Sequence, residues 1–93
     1  MTVIVCTLEL HLPAPSSLKE KRRILKAVID RLRQRFNISV AEIGDHDLWQ
    51  RAAIGVACVG HDRRHTQKMI DGAIALVRSN PEIQLLRHDV QVV

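Results

Sequence analysis

WQRAAIGVACV, residues 49–59, is apolar on both faces once it is extended. Ala52, Ile54, Val56 and Cys58 fall on one side, and Ala53, Gly55, Ala57 and Val59 on the other. Side chains alternate along a strand, so a strand with one wet face carries polar residues at every second position. This one carries none from Ala52 to Val59. It reads as a central strand covered on both sides. Gly55 leaves room for the close approach of a neighbour.

The partner for such a strand stands at the other end of the chain. Residues 3–12, VIVCTLELHL, alternate with Ile4, Cys6, Leu8 and Leu10 on the more buried face. Pro13 and Pro15 end that strand and hold an extended loop. Ser17 and Glu20 have capping-box spacing, so a helix starts there. Leu18, Leu25, Ile29, Leu32 and Phe36 form its buried stripe. Residues 37–43 read as a second strand, and residues 44–47, GDHD, as a turn. After the 49–59 strand, Asp62 is a fair N-cap. A second helix runs to about Ser79, with Met69, Ile70, Ala73, Ile74 and Val77 inward. Asn80-Pro81 is a turn, and residues 82–93 give a last strand or two short ones.

The order is strand, helix, strand, strand, helix, strand. That is the α+β ferredoxin-like plan, a βαββαβ sandwich. It predicts a four-stranded antiparallel sheet with two helices on one face and strands one and three at the centre. Residues 1–93 make a single domain. Hydrophobic content of 46% with 26% charged residues is ordinary globular composition, not disorder.

Charge is concentrated. Eight of the fourteen lysines and arginines lie in residues 19–35: Lys19, Lys21, Arg22, Arg23, Lys26, Arg31, Arg33 and Arg35. Against Glu20 and Asp30 they leave +6 there, compared with +4 for the whole chain. At about 100° per residue, Lys19, Arg22, Arg23, Lys26 and Arg33 share one flank of the buried stripe. Lys21, Arg31 and Arg35 take the other flank or the outer face. A local cationic helix suits a polyanion, nucleic acid first among them. The plainer alternative is a solvated face whose long side chains cover the core edge.

Residues 17–42, SLKEKRRILKAVIDRLRQRFNISVAE, and 46–60, HDLWQRAAIGVACVG, resemble the bacterial YlxP-like family, a domain of unknown function. SLKEKR and DLWQRA carry the resemblance most closely, and the last strand carries it least. The resemblance implies a ferredoxin-like domain. Genes of that family commonly neighbour those for translation initiation factor two and ribosome-binding factor A, which implies contact with RNA or a ribosomal particle. It brings no catalytic residue.

Other chemistry is thin. RNA-recognition motifs of related plan stack bases on aromatics of the two central strands. The only aromatics here are Phe36 and Trp49, so RNA would be held through charge and shape. Five phosphate contacts imply a salt slope of about −3.5 on single strands and about −4.5 on B-form duplex. Trp49, with Gln50 and Arg51 beside it, is either a core or edge plug or an interface anchor. The second option allows a dimeric scaffolding or regulatory module that binds a protein or small ligand through its sheet. Asp45, His46 and Asp47 suit a turn better than a metal, and His61 with His65 lacks a third ligand. No nucleophile elbow, phosphate loop or dinucleotide motif occurs, so neither an enzyme nor a cofactor is expected. Cys6 and Cys58 lie in apolar runs, which fits a reducing compartment. The apolar N-terminal run breaks at Glu9 and His11, and nothing reads as a signal peptide or a membrane span. The expectation is a cytoplasmic homodimer, packed face to face or edge to edge over its apolar strand.

Overall fold

The computed structural model describes residues 1–93. Its elements are β1 (Thr2–His11), α1 (Leu18–Arg35), β2 (Ser39–Gly44), β3 (Arg51–Gly60), α2 (Arg63–Arg78) and β4 (Gln84–Val92). The strands lie in the order β2-β3-β1-β4, and every pairing is antiparallel. This is the ferredoxin-like plan expected from the element order.

β1 and β3 pair along their whole length, from Thr2 opposite Gly60 to His11 opposite Arg51. Their helix-facing residues, Ile4, Cys6, Leu8, Leu10, Ala52, Ile54, Val56 and Cys58, are all buried. Alternation thus placed the core correctly. It overstated the cover on the second face. Ala53, Gly55 and Ala57 are only half-buried and Val59 is exposed, because both helices lie on one side of the sheet. Strand β3 also begins at Arg51 rather than at Trp49. The backbone N–H of Leu12 donates to the Gln50 carbonyl at 2.9 Å, and the chain bends before the ladder becomes regular.

Both helix starts follow their caps. Ser17 Oγ accepts from the Glu20 N–H at 3.2 Å, and Glu20 reaches back to the Ser16 N–H at 2.9 Å. The box is therefore closed one residue earlier than the Ser17-Glu20 spacing implies. Asp62 caps α2 by accepting from the His65 N–H at 2.8 Å. The buried face of α2 carries Thr66, Ile70, Ala73, Ile74, Leu76 and Val77, with Met69 at its margin.

The α1 stripe is turned from the one expected. Its buried residues are Lys21, Ile24, Leu25, Val28 and Leu32, while Leu18, Ile29 and Phe36 are half-buried on the margins. The chain ends α1 at Phe36, whose ring packs against the backbone of Gly72 in α2. A Cβ at Gly72 would stand 2.6 Å from that ring, so glycine is what lets the two helices close there.

Candidate nucleic-acid interface

A positive helix is a binding surface only where its charges reach solvent. Seven of the eight cations of α1 do so: Lys19, Arg22, Arg23, Lys26, Arg31, Arg33 and Arg35 are exposed. The eighth is not. Lys21 was expected on an outer flank, yet it is 1% exposed. Its ammonium lies 3.2 Å from Glu42 Oε2 and donates to the Asp45 carbonyl. The physical reason is spacing: position 21 shares a helix face with Ile24, Leu25, Val28 and Leu32. Glu42 Oε2 is itself shielded from solvent and meets Lys21 as an ion pair without a directed hydrogen bond.

The five residues assigned to phosphate binding are unequal. Lys19 and Arg22 have no acidic partner within the chain. Lys26 pairs with Asp30 at 2.7 Å, and Arg23 with Glu82 at 3.7 Å. Exposed pairs of this kind contribute at most about 1 kcal/mol. A phosphate can exchange into them cheaply. Arg33 is more committed, since its Nη2 donates to the Val40 carbonyl at 2.7 Å on the edge strand β2. Arg22, Lys26 and Arg33 share a groove of about 430 Å³ between α1 and β2. Leu25 and Ile29 supply its apolar part, and Asp30 and Glu42 its acidic part.

The fold joins the first turn of α1 to the β2–β3 loop. Lys21 holds Asp45, whose backbone has φ 59°, a left-handed value that aspartate tolerates better than most residues. Gln50 Nε2 donates to the Pro13 carbonyl at 3.1 Å and to the Pro15 carbonyl at 3.2 Å. The Pro-rich loop, the start of α1 and the 45–50 loop therefore form one end of the molecule. Trp49 stands on that end. It is 52% exposed, so it is not a core plug. With Asp47, Leu48, Gln50 and Arg51 it lines a shallow depression of about 520 Å³. Gln50 itself serves as a tie between loops, which the sequence did not suggest.

Burial pushes the Cys6 and Cys58 thiols up, which opposes thiolate chemistry. The His65 N–H lowers the Asp62 carboxyl, as a capping bond does. No helix is long and apolar enough to cross a membrane.

Comparison with known proteins bears out the family resemblance. The uncharacterized protein YlxP of Bacillus subtilis (strain 168) is 44% identical over 68 residues, 73% of this chain and 74% of that protein. A de novo designed protein with a ferredoxin fold superposes with a TM-score of 0.54 at 12% identity, covering 99% of this chain and 85% of the designed one. That likeness concerns the fold alone. Residues 3–90 match the family described as protein of unknown function DUF503. With β1, both helices and most of β4 inside that match, the chain belongs to the YlxP-like DUF503 family.

Proposed function

We propose that this chain is a non-enzymatic binding module of the cytoplasm, associated with RNA or a ribosomal particle through α1. The observation that carries the reading is the exposure of seven α1 cations beside one buried one. Lys19 and Arg22 have no acidic partner within the chain, so both are free to meet a phosphate. Docking uses Lys19, Arg22, Arg23 and Lys26, with the 13–17 loop against the same backbone. Arg33 contributes less, being held by Val40. The open sheet face has Val5, Thr7, Glu9, Ala53, Gly55 and Ala57 and no Phe, Tyr or Trp, which favours charge over base stacking.

Four phosphate contacts give a salt slope of about −3 on single-stranded RNA. The test is co-sedimentation with ribosomal particles and structured RNA across a salt series, beside a variant with Lys19, Arg22, Arg23 and Lys26 all changed to Glu. Salt-sensitive binding that the variant loses supports the reading. Absence of binding at low salt, or equal binding by the variant, removes it.

The half-exposed Trp49 favours a second reading, a dimeric scaffolding or regulatory module that takes a protein or small ligand near Trp49, Gln50 and Arg51. Charge reversal on α1 spares that activity, and Trp49→Ala abolishes it.

A further inference from the structure

A four-stranded sheet has two edges, and this chain treats them differently. The β2 edge is short, six residues, and its register shifts between Glu42 and Gly44. The Arg33 guanidinium also occupies the Val40 carbonyl there. Short, bulged and side-chain-capped edges resist pairing with another chain. The β4 edge has no such cap. It is nine residues long, pairs only with β1, and is largely exposed. Its irregularity lies at Leu86, so residues 87–92 run regularly opposite β1.

The sequence along that regular stretch is Arg87-His88-Asp89. Arg87 stands opposite Glu9 and Asp89 opposite Thr7 on the open face, where the four line one shallow polar depression. Yet none of the chain's ion pairs involves Arg87, Asp89 or Glu9. Neither the Arg87 nor the Asp89 charge is closed into an ion pair within the chain. In an antiparallel pairing of β4 with itself, a two-fold axis at His88 sets Arg87 opposite Asp89 of the second copy, and Asp89 opposite its Arg87. Opposite charges directly across a ladder stabilise it, and like charges do the reverse. An axis at Arg87 or Asp89 instead sets like charges face to face.

We propose that a second copy of this chain docks on the β4 edge, antiparallel and centred on His88, to make a continuous eight-stranded sheet. An axis normal to the sheet keeps all four helices on one face. The two α2 helices flank the axis and the two cationic α1 helices lie outside them, so a long polyanion could meet both. The proposal is independent of what α1 binds, since it rests on the edge and its charge pattern alone.

Sedimentation equilibrium of the full chain tests it at concentrations to about 100 μM, in the range where a modest interface is populated. The wild type sediments as a dimer. Arg87→Asp places aspartate against aspartate at both ends of the Arg87–Asp89 contact, and Asp89→Arg places arginine against arginine. Each weakens the dimer by roughly tenfold or more. The two variants mixed in equal amounts recover it, because each then meets its opposite twice. Circular dichroism checks that both remain folded, and both positions are exposed. A monomeric wild type, a dimer untouched by either change, or no recovery on mixing overturns the proposal.

Discussion

Lys21 and Glu42 form a shielded ion pair, Nζ to Oε2 at 3.2 Å, between the first turns of α1 and the end of β2. The same ammonium holds the Asp45 carbonyl. Removing one partner leaves the other desolvated and uncompensated, which costs far more than the pair itself contributes. Lys21→Met therefore destabilises by about 3 kcal/mol, the low end for a broken buried pair because Glu42 keeps some contact with water. Thermal unfolding should show Tm falling by roughly 10–20 °C. Adding Glu42→Gln recovers part of the loss, because the stranded charge is gone. A Tm unchanged by Lys21→Met shows that solvent replaces the lysine.

Lys21 also shows where sequence reasoning stopped. The pattern of β1, the doubly apolar run of β3 and the Ser17 and Asp62 caps were legible because each rests on a short-range rule. Strand order followed from the element order. Lys21 was misplaced because a lysine counts as polar in any hydrophobic stripe. Its spacing of three, four, seven and eleven to Ile24, Leu25, Val28 and Leu32 was the available signal. Glu42 and Asp45, which satisfy it, lie more than twenty residues away, and no local pattern names them. The loss of cover on the second face of β3 was equally hidden. It depends on both helices choosing one side, not on β3.

Gly60 closes β3 against the start of α2. A Cβ there would collide with Thr66 Oγ1, whose residue is buried and whose hydroxyl donates to the Asp62 carbonyl at 2.6 Å. Gly60→Ala must displace that hydroxyl, and forced overpacking of this kind costs about 1–3 kcal/mol. Thr66→Ala in the same chain removes the obstacle and should recover most of it. Urea unfolding of the two single variants and the double closes the cycle. Additive losses would place the strain elsewhere.

Asp62 makes stability depend on acid. Its folded carboxyl lies below the ordinary value, because the charged form accepts the His65 N–H. A depressed carboxyl contributes stability above the unfolded value of about 3.9 and loses it as pH falls through the folded one. The stability of wild type relative to Asp62→Asn should fall as pH drops below about 4 and the carboxylate is protonated. Urea midpoints measured from pH 7 downward report this. A gap that does not vary with pH would mean that folding leaves the Asp62 carboxyl unshifted.

The cysteines offer a readout of opening. Both thiols are buried and raised, so the reactive thiolate is scarce and out of reach. Alkylation of the native protein should proceed only through unfolding and follow its free energy. Lys21→Met and Gly60→Ala should accelerate Cys6 and Cys58 together, by the factor their stability loss implies. Faster labelling of Cys58 alone would instead reveal local opening of β3 near Asn37, whose carbonyl lies 3.8 Å from its sulfur.

Trp49 is the only tryptophan, and it is half-exposed on the end that carries the Pro-rich loop. Lys21 and Gln50 tie its loop to the start of α1 and to residues 13–15. A polyanion seated on Lys19, Arg22 and Arg23 must therefore crowd this end and change the polarity around the indole. Titration with single-stranded RNA should quench or shift Trp49 emission with the same salt dependence as binding. The quadruple charge-reversal variant should show neither effect. Arg31 and Arg35 lie roughly two to four turns farther along α1. RNA that binds in a salt-sensitive way while the emission stays constant would move the contact to that far end. Variants at Arg31 and Arg35 would then lose binding, and Lys19→Glu would not.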